Sequence, residues 1–430
     1  MTNEFTEKNK YYFYHALPQK APVAECKVTM KETVNPKLLA EACSMALAGN
    51  YAFRQKPLID RSGDIVCCEN TADVPVTEDD GKNYALGSTD SNSYLFRVMY
   101  SENSIGIRYS HAITDGRGGI LFFHTLLYHY FSLQGHPIES DASVILDKDR
   151  EDMAVRGDVA DDLPKDVAVK RPKDTGELFS TPEQRTLMET ELSRCFLIHF
   201  PAVQLKELAK RFGATPVPIL AALVAETMHD IYEVGERTIM AGVPVDMRAF
   251  LKPRALANYS SMTFLPFEAL LAGLSMEEKA KALSETLADC LERDNLFGMA
   301  KLLSGGPVRT DYPPMDDREK VLELYKARIT QVGRFTYLLT NVGRIRLPKG
   351  MEERITSYEM GTVALSYTPS MSVYTYGDTV CLGLACNFRE DGLAKAILER
   401  MKTYHLAAEM VFDGYTTMDT VRTDYFEKVG

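Results

Sequence analysis

Residues 94–133 constrain the fold more than any other stretch of the chain. YLFRVMY and SIGIRYS read as two strands joined across Ser101-Glu102-Asn103. They run directly into HAITDGRGG and then into the apolar helix ILFFHTLLYHYFSL. A hairpin, a polar turn and a helix in unbroken succession put His111 at the end of a strand, where a side chain can face a cleft.

The same alternation of strand and helix continues on either side. CKVTMKETV alternates as a strand does, and Asn35-Pro36 then opens a helix through LLAEACSMAL that stops at Gly49-Asn50. Short strands follow around RSGDIVCCE. After a break come a strand, RCFLIHF, two helices, AVQLKELAKRFG and VPILAALVAETMHDIY, and the strand TIMAGVPVDMR. A helix at SMEEKAKALSETLADCLE, strands near FTYLLTNVG and a second hairpin, SMSVYTY and TVCLGLACN, complete the pattern. The helix LAKAILERMKTYHLAAEM is expected to close the chain. This order predicts an α/β architecture. At 430 residues the chain exceeds what one core usually serves, so two subdomains are expected, an N-terminal one over 1–180 and a C-terminal one over 190–430. Residues 137–190 are rich in Asp, Lys, Glu and Pro without sustained apolar period and read as a polar surface connection.

An internal echo supports two related halves. The hairpin TYGDTVCLGLAC leads into Asn387-Phe388-Arg389-Glu390-Asp391-Gly392 and a helix, as the first hairpin leads into His111 to Gly116 and a helix. Four residues separate His111 from Asp115, and four separate Asn387 from Asp391, so only the first half carries an imidazole. An Asp-Gly turn before a helix is also a common local device.

Charge and composition remove several function classes. A formal net charge of −11 argues against nucleic acid, whose binding needs clustered Lys and Arg. No segment offers about 18 uninterrupted apolar residues, so no membrane span is expected. The start, MTNEFTEKNKYYFYHAL, has no apolar h-region and does not read as a signal peptide. The eight cysteines form no regular framework and no C-x-x-C, and are read as reduced and mostly buried in a cytoplasmic protein.

His111 is the residue that carries chemistry. Its unperturbed pKa near 6.5 lets it take and release a proton at neutral pH. Asp115 reads as a structural partner that pins the turn, and Gly116 as the residue that lets the backbone enter the helix tightly. Taken alone, His-x-x-x-Asp-Gly fits a hydrogen-bonded loop histidine better than a base. No G-x-S-x-G elbow and no phosphate-binding G-x-x-x-x-G-K-[ST] occurs, and Arg117-Gly118-Gly119 is too short for a dinucleotide loop. His124 and His129 lie five apart on an apolar helix and do not share a face as zinc ligands would, so no metal is expected. The aromatic run Tyr11, Tyr12, Phe13 and Tyr14 reads as packing or as the lining of a cleft mouth.

Ser110-His111-Ala112-Ile113-Thr114-Asp115-Gly116 resembles the His-x-x-x-Asp-Gly signature of the chloramphenicol acetyltransferase-like superfamily. That group includes alcohol O-acetyltransferases, polyketide-associated acyltransferases and condensation domains of non-ribosomal peptide synthetases. Asn50-Tyr51-Ala52-Phe53-Arg54, Val243 to Arg248 with Asn258-Tyr259, and Thr340-Asn341-Val342-Gly343 are similar to further elements of the group, in its order. The resemblance implies two subdomains, each a mixed sheet with flanking helices, and a tunnel between them. It implies His111 as base, Asp115 paired with Arg248, and Asn341 and Thr340 near the reacting carbonyl. Ser110 stands where many relatives have a second histidine, and the residues after Gly116 fit the alcohol acetyltransferase branch better than modular condensation domains.

The resulting expectation is an acyltransferase moving an acyl group from a thioester to a small-molecule alcohol or amine, with no acyl-enzyme and no bound cofactor. Acyl-CoA is the expected co-substrate, because no carrier or adenylation module is attached. A carrier-protein-dependent condensation enzyme is the alternative, with an acyl or peptidyl carrier protein as partner, and a catalytically inactive binding module of the same fold is a third reading. An anionic donor needs local positive charge on an acidic protein. Arg344 and Arg346, with Lys349, form the densest basic run beside a matched element, and would share one face of a strand. Lys252 and Arg254 are the other basic site.

Overall fold

The computed structural model describes residues 3–5, 10, 12–14, 23–146, 159–182, 192–251, 256–305, 313–315, 317–324, 335–361, 368–386, 392–417 and 419–429. The first half runs β1 (Val23–Met30), α1 (Pro36–Ala48), β2 (Gln55–Ile59), β3 (Ile65–Glu69), β4 (Val76–Glu78), β5 (Phe96–Tyr100), β6 (Ser104–Ser110) and α2 (Gly116–Leu133). Local chemistry sets the boundaries. The Asn35 carboxamide caps α1 by accepting from Lys37 N and Leu38 N at 3.1 and 3.3 Å, and Pro36 needs no partner for a first-turn N–H. β5 and β6 form the expected hairpin, and β1 lies on the other side of β6 in a register that pairs Val23 with Ser110. That register places the first residue of β1 beside the residue preceding His111.

The second half continues with β7 (Leu192–Pro201), α3 (Ala202–Phe212), α4 (Pro216–Ile231), β8 (Ile239–Asp246), β9 (Ser260–Phe267), α5 (Met276–Leu291), α6 (Arg293–Gly305), β10 (Tyr337–Arg344), β11 (Ile355–Gly361), β12 (Ser370–Tyr376), β13 (Thr379–Cys386), α7 (Gly392–Thr403), β14 (Glu409–Thr417), β15 (Thr420–Val421) and β16 (Glu427–Lys428). Seven strands form one mixed sheet in the order β9-β8-β10-β12-β13-β7-β14. A second mixed sheet has the order β11-β1-β6-β5-β4. The chain is therefore α/β, with these two large mixed sheets, smaller sheets of four and two strands, and flanking helices. Each of the two large sheets has its own core: Phe53, Phe96, Phe122 and Phe123 are central to the first core, on the five-stranded sheet, and Ile219, Leu223, Tyr337 and Met371 to the second, on the seven-stranded sheet.

Packing crosses the division that chain position suggests. β11 leaves the second half and pairs antiparallel with β1, and Ile345, Leu347, Met351, Tyr358, Tyr374 and Cys381 pack in the first core. The chain does not close on a helix as expected: α7 stops at Thr403, His405 takes a left-handed φ of +63°, and β14 follows. EMVFDGYTT carries no helical period, and its backbone groups pair with β7 instead. β15 then pairs with Ala85–Leu86 and β16 with β2, returning the C-terminus to the first half. Between those strands and β14, Asp419 is fully buried against Arg97, with Nε 2.6 Å from Oδ2. Tyr84 N and Arg108 Nη1 also donate to its Oδ1, at 3.0 and 3.3 Å.

The polar connection is not a surface linker over its described residues. Val159 and Leu163 pack with Met247, Leu296, Phe297 and Ala300, and Phe179 enters the second core. Most of its charged residues stay outside while these apolar ones, too widely spaced to show a period, dock inward. Residues 387–391, which carry the internal echo of the His111 segment, lie outside the described residues; the hairpin β12–β13 before them and α7 after them are present.

Candidate active site

The strand β6 ends at Ser110, and the turn 111–115 delivers the chain to α2 with Asp115 as its N-cap. Asp115 Oδ1 accepts from Gly118 N at 2.9 Å, which satisfies one of the open N–H groups of the first helical turn. The same carboxylate holds the second half of the chain. Arg248 Nη1 donates to both Oδ1 and Oδ2 at 2.9 Å, and Tyr259 N donates to Oδ2 at 2.6 Å. Arg248 also reaches Asp246 Oδ1 at 3.1 Å and Ala257 O at 2.8 Å. The expected Asp115–Arg248 pair is thus made, with side chains 5% and 11% exposed. Burial acts to raise the Asp115 carboxyl, but the Arg248 charge and the Gly118, Arg248 and Tyr259 hydrogen bonds outweigh it and hold the group below its ordinary range. Burial likewise opposes the charge on Arg248, and Asp115 and Asp246 more than restore it.

Further bonds clamp the turn. Thr114 Oγ1 donates to Leu256 O at 2.6 Å, and Asn258 Nδ2 donates to His111 O at 2.8 Å. The backbone of His111 is therefore fixed from the second half of the chain, and its ring lies 4.8 Å from that of Tyr12 with an interplanar angle of 23°. Ser110 is buried, with its Oγ accepting from Ala112 N at 3.1 Å, so it braces the turn.

Gly116 corrects the sequence reading. Its φ is not in the left-handed region, and a Cβ there would meet nothing within 4 Å, so the turn does not need glycine at that position. The close approaches belong to the next two glycines. A Cβ on Gly118 would lie 2.0 Å from Thr114 Oγ1, and one on Gly119 would lie 2.1 Å from the Tyr109 ring. These glycines let α2 sit directly on β6 and on the Leu256 segment.

The other expected site residues are not bonded to the Asp115–Arg248 pair. Thr340 is half-buried and Asn341 exposed on β10. The Asn341 carboxamide is turned onto its own chain, accepting from Gly343 N at 3.0 Å, where Gly343 has φ +80°. Arg344, the last residue of β10, and Arg346 just beyond the strand are exposed, while Ile345 and Leu347 are buried. Arg344 Nη1 donates to Gly377 O at 2.7 Å, and Lys349 pairs with Glu139 at 2.7 Å. None of Thr340, Asn341, Arg344 and Arg346 bonds to Asp115 or Arg248. Lys252 and Arg254 lie outside the described residues. His124 is buried edge-on to Tyr358 and its pKa is pushed down to about 3, by burial first and then by the Arg117 charge. Among the described residues no group of three or more His, Cys, Asp or Glu is placed to hold a metal ion, and no single helix is long and apolar enough to cross a membrane.

Sequence reasoning missed the Tyr12 stack and the clamp formed by Leu256, Ala257 and the Tyr259 N–H. The clamp works through backbone atoms, which leave no signature in residue type. The stack joins residues 12 and 111, whose proximity only the fold creates.

No protein-family model and no curated protein matches the sequence. Solved structures match over nearly its whole length. Polyketide synthase associated protein 5 from Mycobacterium tuberculosis aligns over 93% of this chain and 97% of its own, with a TM-score of 0.62 at 11% identity. The trichothecene 15-O-acetyltransferase of Fusarium sporotrichioides aligns over 94% and 95%, with a TM-score of 0.61 at 12% identity. The chain has the chloramphenicol acetyltransferase-like, condensation-domain fold. A further match is the first condensation domain of the calcium-dependent antibiotic synthetase, covering 94% of this chain and 95% of its own, with a TM-score of 0.59 at 13% identity. In this condensation fold the two halves meet at the turn 111–115, where Arg248, Leu256, Asn258 and Tyr259 of the second half hold residues of the first.

Proposed function

We propose that the protein is an acyltransferase that moves an acyl group from a thioester, with acyl-CoA as the favoured donor, to an alcohol or amine. The observation that carries this reading is His111, held at the end of β6 by Asn258 while Asp115 and Arg248 lock the turn behind it. In the proposed reaction the imidazole takes the proton of the attacking O–H or N–H as that atom bonds to the thioester carbonyl. The C–S bond then breaks, and the proton passes from His111 to the leaving thiolate, so no acyl-enzyme is needed. Asp115 does not reach the substrate in this scheme. Its four donor contacts make it a buttress that keeps the turn in place. With all eight cysteines free, we place the reaction in the cytoplasm.

Purified protein should be mixed with acetyl-CoA, malonyl-CoA and palmitoyl-CoA, and with an acyl-loaded carrier protein, each against a panel of alcohols and amines. Acceptor-dependent release of free thiol that disappears in His111→Ala supports the proposal, with a loss of about 10²–10⁴-fold for a removed general base. Release only from the carrier protein assigns the donor to that class. No acceptor-dependent release from any donor, or an undiminished rate in His111→Ala, overturns the reading and favours a binding module.

A further inference from the structure

Lys10 and Tyr12 to Tyr14 lie in one helical turn near the N-terminus, and that turn is anchored by the two residues after Tyr12. Phe13 is fully buried, edge-on to Phe5 at 5.0 Å and to Phe426 at 5.6 Å. The Tyr14 hydroxyl donates to Pro313 O at 2.6 Å. Two distant parts of the chain, and the nearby Phe5, therefore hold this turn. The residue just before these anchors, Tyr12, is left partly exposed and lies parallel over the imidazole of His111.

We infer that Tyr12 is a positioning residue that sets the plane of the His111 ring and supports the charge it gains in turnover. The inference rests on His111 being the base. Rotation about the Cβ–Cγ bond of a histidine is broad and only loosely two-fold, so a fixed backbone does not by itself aim the ring nitrogens. A base must lie within hydrogen-bond reach of the proton it removes. Asn258 fixes the His111 carbonyl, and Tyr12 supplies the restraint on the ring. The face of an aromatic ring is negative, so an imidazolium above it is better accommodated than a neutral imidazole. His111 is positively charged only after it has taken the acceptor's proton. The Tyr12 contact is therefore stronger in the transition state than in the ground state, and it acts on kcat rather than on KM.

The test compares Tyr12→Leu, which keeps apolar bulk but has no flat face, with Tyr12→Phe, which keeps the face. The nitrogen-labelled imidazoles of the eight histidines are followed by NMR, with the His111 signal assigned by its disappearance in His111→Ala. The signal should move downfield in Tyr12→Leu, as the ring current of the stacked tyrosine is lost, and stay near its original position in Tyr12→Phe. With the donor and acceptor that the acyl-transfer assay identifies, Tyr12→Leu should lower kcat about ten- to hundredfold with little change in either KM. Tyr12→Phe should keep most of the rate, and in the His111→Ala background Tyr12→Leu should have no further effect. An unmoved His111 signal or an unchanged kcat in Tyr12→Leu overturns the inference. So does an equal loss in the His111→Ala background, which would make Tyr12 merely structural. If His111→Ala itself retains turnover, the base assignment falls instead, and the NMR comparison still decides whether the stack exists.

Discussion

Arg248 holds Asp115 through a single nitrogen: Nη1 is 2.9 Å from both carboxylate oxygens, while Nη2 turns to Ala257 O. One side chain thus ties the start of α2 to the segment after β8. Removing either partner leaves a charge in a nearly water-free position. Asp115→Ala is expected to lower stability by about 3–5 kcal/mol, with activity falling alongside. A double-mutant cycle with Arg248→Ala, followed by chemical denaturation, should show strong coupling; additive losses would mean the two do not act as a pair. The pH dependence has a definite sign. Because the folded carboxyl is held below the ordinary value of about 3.9, its contribution is complete above that value and is lost as the pH falls below it through the folded pKa.

The glycines after the motif aspartate separate into two kinds. Gly119→Ala forces a methyl into the Tyr109 ring and Gly118→Ala into Thr114, and each is expected to cost about 1–3 kcal/mol as an overpacked contact. Gly116→Ala places its methyl in open space at an ordinary helical φ, and helix propensity then favours alanine. Thermal melting of the three variants should rank Gly116→Ala at or above the parent and the other two below it. A destabilised Gly116→Ala would show that the turn does need glycine there.

Most elements were legible because their signals are local. Asn35-Pro36 opens α1, and the hairpin into the His111 turn follows from alternation and a polar stop. The Asp115–Arg248 pair came from the motif resemblance and was found as expected. What local signals could not carry was pairing between distant segments. β11 beside β1, β15 and β16 back on the first half, and Val159 under α6 are set by where the two sheets meet. Misreading Gly116 had a different cause. A glycine beside an aspartate suggests a strained turn, whereas here the constraint was the approach of α2 to β6, which falls on Gly118 and Gly119.

His124 provides an acid-sensitive point away from the reaction. Burial, aided by the Arg117 charge, keeps its imidazole neutral down to about pH 3, whereas an unfolded histidine titrates near 6.5. Between those values the unfolded chain binds a proton that the native ring refuses, so stability falls with falling pH by up to about 1.4 kcal/mol per unit. Replacing the ring by His124→Leu should flatten that slope, whatever it does to stability at neutral pH. Denaturation midpoints from pH 7 to 4 that keep the original slope in the variant would show that the native ring is protonated.

The C-terminal segment depends on a buried ion pair for its return to the first half. Asp419 accepts from Arg97 at 2.6 and 3.2 Å and from Tyr84 N at 3.0 Å, and Arg97 is fully buried with its guanidinium 4.0 Å from the Tyr84 ring centroid. Asp419→Ala strands that guanidinium, with an expected cost of about 3–5 kcal/mol. Limited proteolysis should then cut near β15 at lower protease concentration than in the parent. An unchanged melting temperature would show that Arg97 finds another anion.

The basic run after β10 is where an anionic donor is expected to be held. Arg344 and Arg346 are both exposed, and Lys349 nearby is already paired with Glu139. Arg344 gives one nitrogen to Gly377 O, which fixes its stem and leaves the rest of the guanidinium for a ligand. In the proposed reaction coenzyme A would bring phosphates to a protein of net charge −11, and these two arginines would supply the local attraction the bulk charge denies. Such a contact would fall on a part of the donor remote from the reacting carbonyl and would be the same before and during the reaction. The double variant Arg344→Ala/Arg346→Ala should therefore raise donor KM with little change in kcat or acceptor KM. The difference from the parent should shrink as ionic strength rises, because exposed charges are screened over about 10 Å at 0.1 M salt. Steady-state kinetics at two salt concentrations make the measurement. A donor KM that stays constant in the double variant at low salt would mean that Arg344 and Arg346 only edge the sheet, and the donor site would have to be sought elsewhere.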